Sequence, residues 1–406
     1  MRIDPRVWGF ICTTAHPHGC AANVRDVIAR ARGTAPAGSG PRRVLVLGAS
    51  TGYGLAARVA AAFGHGAATL GVFLEKPATA RKPGSAGWYN AVAFEAEARA
   101  AGLVSASLNA DAFADATRAQ AIGMIHDVLG GPVDLVIHSL AAPQRRLPDS
   151  GETVRTALRP IGEAFVGTSI DTDNDRLCEV RVEPASDAEI LDTVAVMGGD
   201  DWTRWMHALR DAGALADNAR SVAFSYLGPE LTWPIYRHGT IGRAKADLER
   251  AAQALNAEAG RDDFARVALL KSIVTQASAA IPVIPLYLSV VSRVLRARDL
   301  QEDALDQQLR LFRALYPVGA EAEGLLDGEG RWRLDQRELR DDVQAECMAL
   351  WPRIRDDNLF ELTDYAGYKR EFLRLFGFAR DDIDYAADVD IDIGDVGIRA
   401  AGECGS

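Results

Sequence analysis

Cysteine is scarce. The 406 residues hold five, Cys12, Cys20, Cys178, Cys347 and Cys404, an odd number scattered through a long chain. That excludes a disulfide framework as the organising device and makes a reducing cytosol the expected compartment. Long hydrophobic runs are missing too. A membrane span needs about 18 consecutive apolar residues, and the most apolar stretch, 281–291, is broken by Pro282 and Pro285. Met1 is closely followed by Arg2, Asp4, Pro5 and Arg6 with no apolar h-region, so no secretory signal is expected. Basic charge falls short of acidic charge, 45 Lys and Arg against 56 Asp and Glu for a net charge of -11. This argues against nucleic acid or an anionic membrane as the main partner, since both demand a basic face. A local basic patch for an acidic cofactor or substrate stays open. No repeat and no low-complexity block occurs. What is present, 48% hydrophobic and 25% charged residues, is the mix of an ordinary globular protein.

Residues 1–40 form an irregular lead-in ending in a Gly/Pro-rich link, 33–40. Short apolar runs then alternate with helical segments. Strands are expected at 43–47, 69–74, 104–108, 133–137, 222–226 and 267–274, with an Ala-rich helix at about 55–63. Such alternation gives a parallel sheet covered on both faces. The fold class is therefore α/β, a Rossmann-type doubly wound parallel sheet extended by insertions and a helical C-terminal region. About eighty residues separate the fourth and fifth strands, more than a crossover helix requires. Part of that insertion (about 143–215) looks hairpin-like at 168–183. An apolar helix is expected at 277–294, and a hairpin at 326–331. One elaborated domain with its core at 41–300 and an extension at 300–406 is the expected organisation. A separate helical domain from about residue 300 is the alternative.

The strongest motif is Gly48-Ala49-Ser50-Thr51-Gly52-Tyr53-Gly54, which follows a strand and opens a helix. Glycine is needed where the backbone turns sharply against a pyrophosphate, and the helix N-terminus offers free N–H groups to the phosphates. Glu75 follows Leu74 at the end of the second strand, twenty-one residues after Gly54. An acidic residue there takes the adenosine ribose hydroxyls and repels a 2′-phosphate, favouring NADH over NADPH. Lys76, Arg81 and Lys82 could soften that preference. Asp111, beside Ala112, could accept from the adenine amino group or cap the next helix. His138-Ser139-Leu140-Ala141-Ala142 ends the fourth strand with small residues that let a cofactor cross the sheet edge.

A short-chain reductase, one class of enzyme that uses such a glycine turn, needs a tyrosine to supply a proton or stabilise an oxyanion. It also needs a lysine to hold the nicotinamide ribose and lower the tyrosine pKa. Tyr365 and Lys369 have the familiar Y-x3-K spacing but lie almost a hundred residues after the last core strand. The window between the fifth and sixth strands holds Tyr236 and Lys245 instead, a Y-x8-K pair, with Thr240 as a candidate N-cap for a helix running to about Asn256. Cys12, His16, His18 and Cys20 have metal-ligand residue types without the spacing of a common zinc site. The run 381–395 carries D-x-D pairs but no calcium-loop glycine in register, and reads as a solvated tail.

Together these residues resemble the trans-2-enoyl thioester reductase family, the V-class enoyl-acyl-carrier-protein reductases and trans-2-enoyl-CoA reductases. The resemblance spans the chain: Pro5-Arg6-Val7 with Gly9-Phe10-Ile11-Cys12, Thr14-Ala15-His16-Pro17, Gly19-Cys20, the Gly48–Gly54 turn, Gly87-Trp88-Tyr89-Asn90, Val194-Ala195-Val196-Met197-Gly198-Gly199, the Y-x8-K pair, and Thr275-Gln276-Ala277-Ser278. It implies an NADH-dependent enzyme that delivers hydride to C3 of an enoyl thioester and a proton to C2, as the last reductive step of fatty-acid elongation. Tyr236 would be the proton donor or enolate stabiliser and Lys245 the ribose ligand. Tyr226 would meet the thioester carbonyl. Ile273, Val274 and Thr275, at the end of the sixth strand, would meet the carboxamide, and the helix at 277–294 would wall the acyl pocket. A cytoplasmic monomer, without a metal, is implied. A carbonyl or 3-oxoacyl reductase, and a non-catalytic NAD(H)-binding protein, are the alternatives.

Overall fold

The β-branched and apolar runs form strands because both of their faces are buried. In a computed structural model, which describes residues 1–33, 40–317, 325–394 and 396–403, six of them are β1 (Arg43–Leu47), β2 (Ala68–Phe73), β3 (Ser105–Asn109), β4 (Val133–His138), β5 (Leu215–Ser225) and β6 (Ala265–Leu269). Two more come from the C-terminal region, β7 (Trp332–Arg333) and β8 (Ile398–Ala400). All pairs are parallel, and the order is β7-β6-β5-β4-β1-β2-β3-β8. Residues 34–39 of the Gly/Pro-rich link, Asp395 and Cys404 lie outside the described residues.

Side chains alternate along each strand, so β1 sends Val44 and Val46 into one apolar layer and Leu45 and Leu47 into the other. Helices Asp115–Asp127, Asp200–Asp211 and Thr240–Ala259 cover the second layer. Helices Pro17–Gly33, Ala86–Ala100, Ile284–Ala297 and Ala304–Leu315 cover the first. The strand order reverses between β1 and β4. In a doubly wound sheet, ligands bind in the crevice at that reversal, outside the carboxyl ends of the strands.

Several sequence expectations need correction. The sixth strand stops at Leu269, not Val274, because its neighbour β5 stops at Ser225. After Leu270 N–H bonds Ser225 O, the next amides turn to side chains, Lys271 N to Gln307 and Ser272 N to Glu338. Ile273, Val274 and Thr275 therefore lie in a loop. The helix expected at 277–294 is two pieces, Gln276–Ala279 and Ile284–Ala297. Pro282 cannot continue the ladder, and Val283 takes φ +74°, a left-handed conformation rare for a β-branched residue. The helix expected at 55–63 runs Gly52–Val59 and ends in a π-helical turn, Ala60–Gly64.

The acidic run is no solvated tail. Val389 and Ile391 are buried while the aspartates between and beyond them face out. Ile391 O accepts from the Tyr89 hydroxyl at 2.9 Å, and β8 pairs with β3 at the sheet edge. The 168–183 hairpin is present as strands Phe165–Asp171 and Arg176–Val182. The 326–331 turn is closed by Asp327, whose carboxylate accepts from Glu329 N and Arg331 N, and it leads into β7.

Candidate active site

Leu47, the last residue of β1, is followed by Gly48 at φ +85°. A Cβ at Gly48 would stand 2.1 Å from Ser139 O, and one at Gly54 would stand 2.0 Å from Gly48 O. Both positions demand glycine for lack of room. Gly48 N bonds Val72 O and Ser139 N bonds Leu47 O, so the turn is fixed against β2 and β4. Ala49 and Ser50 are buried, while Thr51 is exposed as the N-cap of helix Gly52–Val59. Gly52 lies near Thr275, with Cγ2 3.8 Å from where a Cβ would be. Leu140 packs against Gly48. The glycine turn, the end of β4 and the loop after β6 thus meet in the crevice where the strand order reverses. The close backbone approach at Gly48 and Gly54 fits a pyrophosphate at the helix N-terminus.

Glu75 follows β2 and Leu74, which is 69% exposed. The Glu75 carboxylate accepts from Ser50 Oγ at 2.7 Å and Ser85 Oγ at 2.5 Å, while its backbone pairs with the Asn109 side chain. Gly87 leaves room for this carboxylate, since a Cβ there would sit 2.0 Å from Glu75 Oε1 and displace it. Asn90 Nδ2 donates to Ser50 O, tying helix Ala86–Ala100 to the glycine turn. Asp111 is not the cap of the next helix, where Ala114 holds that position. Its carboxylate accepts from Phe113 N at 3.0 Å, which leaves acceptor capacity over. Ala112 is buried, and its carbonyl is bonded by Trp205 and Arg118.

The tyrosine and lysine arise from the loop and helix after β5. Thr240 begins helix Thr240–Ala259, with Gly239 as the N-cap, contrary to the capping role expected for Thr240. The hydroxyl of Thr240 is instead bound to Ala157 O. Tyr236 is 8% exposed and stands edge-on to Tyr226, ring centroids 5.0 Å apart. Its hydroxyl makes no hydrogen bond to another described residue. Burial pushes the phenol well above its ordinary pKa, so it is protonated at neutral pH. Lys245 Nζ points to Phe224 O at 3.4 Å, and burial lowers its pKa to about 8. Phe224 also packs edge-on to Tyr53, whose hydroxyl donates to Lys271 O at 2.6 Å. Tyr53 of the glycine turn and Lys245 thus both reach Phe224 at the end of β5, and Tyr236 packs on Tyr226, two residues further on.

Tyr226, just past β5, donates to Glu338 Oε1 at 3.0 Å. Tyr287, Ser272 Oγ and Ser272 N also donate to this carboxylate, each at 2.7 Å. Glu338 was not legible as a site residue, because Arg337-Glu338-Leu339-Arg340-Asp341 reads as solvated charge. The Tyr365/Lys369 pair sits on helix Tyr365–Leu375, where both side chains bind Asp175 at the tip of the long hairpin. The Cys12–Cys20 segment is packed: His16 Nδ1 accepts from Gly19 N, and its ring lies against Tyr385 and Phe378. Among the described residues, no cluster of three or more His, Cys, Asp or Glu could hold a metal.

Comparison with known proteins gives three family matches. Residues 2–80 match the NAD(P)H binding domain of trans-2-enoyl-CoA reductase, and 82–316 its catalytic region. Residues 326–389 match an enoyl reductase FAD binding domain. An enoyl-[acyl-carrier-protein] reductase [NADH] of Xanthomonas oryzae pv. oryzae is 57% identical over 397 residues, 97% of this chain and 98% of that protein. One from Chromohalobacter salexigens is 58% identical over 396 residues, covering 96% and 98%. The crystal structure of Treponema denticola trans-2-enoyl-CoA reductase in complex with NAD superposes with a TM-score of 0.91 at 42% identity, covering 96% of this chain and 98% of that one. The Clostridium acetobutulicum trans-2-enoyl-CoA reductase in complex with NADH gives 0.92 at 38% identity, covering 97% and 98%.

The residues of 326–389 do not fit a flavin. Gly377 is closed over by His16 and Cys20, and Gly367 by Asp364. Among the described residues of this segment, Trp332 Nε1 is the one buried side-chain polar atom without a partner. Leu334, Val343, Tyr365 and Phe378 fill the apolar layer of the sheet.

Proposed function

The chain belongs to the trans-2-enoyl-CoA reductase family, and on that premise we propose how it works as an NADH-dependent reductase of enoyl thioesters. The observation that carries the reading is the buried, protonated Tyr236, its hydroxyl unengaged by any described residue, beside Tyr226 and on the same strand end as Lys245 and Tyr53 of the glycine turn. Gly48, Ala49, Ser50, Thr51, Gly52 and Tyr53 would hold the pyrophosphate; Leu74 and Glu75 the adenosine ribose; Asp111 and Ala112 the adenine. Ser139 and Leu140 would support the cofactor across β4, with Ile273, Val274 and Thr275 at the carboxamide. When bound, NADH supplies the hydride that C3 of the enoyl thioester accepts.

The chain's own residues manage charge and protons. Lys245, half-charged only near pH 8, orients the nicotinamide ribose through its ammonium. Tyr236 hydrogen-bonds the thioester oxygen as negative charge develops there and is the source of the proton that reaches C2. Its raised pKa keeps that proton in place until the enolate forms. Tyr226 lines the thioester subsite. Helix Ile284–Ala297, with Leu286, Tyr287 and Val290 buried, excludes water from the acyl side.

We also read the chain as one elaborated domain, a reading supported by the entry of β7 and β8 into the same sheet. Acyl-carrier protein as the carrier, a place in fatty-acid synthesis, and a cytoplasmic monomer complete the proposal. The four described cysteines are free thiols, in keeping with a reducing compartment, and no described helix is long and apolar enough to cross a membrane. Turnover of crotonyl-CoA and acetoacetyl-CoA with NADH tests the reaction. The reading requires the enoyl substrate to be faster, and faster reduction of the 3-oxo substrate would establish a carbonyl reductase instead.

A further inference from the structure

The segment matched to a flavin domain reaches the candidate active site by a different device. Glu338 is fully buried, and its carboxylate accepts from four donors. Three converge on Oε1, the hydroxyls of Tyr226, Tyr287 and Ser272, while Ser272 N–H takes Oε2. Gln344 Nε2 holds the far side, donating to Glu338 O at 2.6 Å and to Tyr287 at 3.2 Å. A buried carboxylate so crowded with donors has a single orientation. It also directs the hydroxyls around it, because a carboxylate can only accept from them.

We infer that Glu338 is a positioning residue for the reduction: it fixes Tyr226 by accepting the hydrogen bond from its hydroxyl, and Tyr226 in turn fixes the ring of Tyr236. With its O–H directed at Glu338, Tyr226 meets the thioester as a wall and a lone pair. Of this ring pair, Tyr236 alone then has a proton to offer the substrate oxygen, and the edge-on packing at 5.0 Å holds that phenol to one direction. Replacing the carboxylate by an amide reverses the arrangement. Ser272 N–H, a backbone donor, requires the amide oxygen on its own side, which turns the amide NH2 toward Tyr226 and Tyr287. Tyr226 must then accept, and its O–H, freed as a donor, competes with that of Tyr236.

The inference rests on the reductase reading. That reading fails if the wild type does not turn over; this one fails only in the variants. The test measures kcat and KM with crotonyl-CoA and NADH, NADH affinity by fluorescence, and thermal midpoint. The proteins are wild type, Glu338→Gln, Tyr226→Phe and the double variant. A hydrogen bond to a charged group corresponds to about 10–100-fold, and each single variant should lose kcat by that factor with NADH affinity within about twofold. The double should fall less than about threefold below the slower single, because both changes remove one arrangement. Multiplicative losses in the double, or a Glu338→Gln enzyme at wild-type kcat, overturn the inference. Tyr226→Phe leaves the carboxylate three donors, so it serves if Glu338→Gln does not fold. A kcat loss at unchanged NADH affinity in Tyr226→Phe then supports the inference, and an unchanged kcat overturns it.

Discussion

Replacing Gly48 by alanine should damage both stability and cofactor binding, while the same change at Gly52, four residues on, should cost the fold far less. Both glycines have positive φ, +85° and +52°, so alanine at either carries a backbone penalty of about 1–2 kcal/mol. They differ in space. The new methyl at Gly48 would lie 2.1 Å from the backbone oxygen of Ser139, whereas at Gly52 the nearest atom is a side-chain methyl at 3.8 Å. The ends of β1 and β4 would have to part by more than an ångström. That motion strains the bonds from Gly48 N to Val72 O and from Ser139 N to Leu47 O. A buried hydrogen-bonding group left unsatisfied costs about 1–3 kcal/mol. Gly48→Ala should therefore destabilise by about 2–5 kcal/mol against about 1–2 for Gly52→Ala, a large share of the roughly 5–15 kcal/mol of a folded domain. Urea unfolding gives both values, and NADH fluorescence should show at least a tenfold affinity loss, about 1.4 kcal/mol, for Gly48→Ala. Equal destabilisation by the two substitutions, or wild-type NADH affinity in Gly48→Ala, would refute the steric argument.

Other perturbations probe the rest of the site. Glu95→Gln leaves the fully buried Arg58 guanidinium without its counter-charge at 2.6 Å, so unfolding free energy should drop by about 3–5 kcal/mol. Arg58→Met with Glu95→Leu should recover most of that loss in the same urea assay. Burial lowers Lys245 to about pH 8, so the ammonium is lost as pH rises through 8 and kcat/KM for NADH should decline there. An unfolded chain keeps the ordinary lysine value and binds more protons above pH 8, so this residue makes stability rise, not fall, from about 8 to about 10.4. A flat kcat/KM profile between pH 7 and 9 would contradict the assignment. Glu75→Ser should lower KM for NADPH at least tenfold, since it removes a charge that repels a 2′-phosphate beside Lys76 and Lys82. An unchanged NADPH/NADH ratio would place the discrimination elsewhere.

The sheet was legible because its strands are short apolar runs and its glycine turn obeys a steric rule that sequence displays. Tyr236 and Lys245 were singled out by their place between β5 and β6, and the structure puts them at the end of β5, while Tyr365 and Lys369, with the more familiar spacing, bind Asp175 instead. The misses share a cause: partners distant in sequence decide the local structure. Ile273–Thr275 read as strand from their β-branched residues, yet β5 ends too early to pair with them. The 381–395 run read as solvated because its aspartates dominate composition, although the alternation that buries Val389 and Ile391 was present. Glu338 carried no local sign, since its four donors come from Tyr226, Ser272 and Tyr287, remote in the chain.

The central claim is that Tyr236 serves the chemical step of enoyl-thioester reduction. NADH oxidation followed by absorbance with crotonyl-CoA, for wild type and Tyr236→Phe, tests it most directly. Loss of one general acid corresponds to about 10²–10⁴-fold, so the account predicts a kcat lower by that factor at unchanged NADH affinity. A Tyr236→Phe enzyme that turns over at the wild-type rate would contradict it.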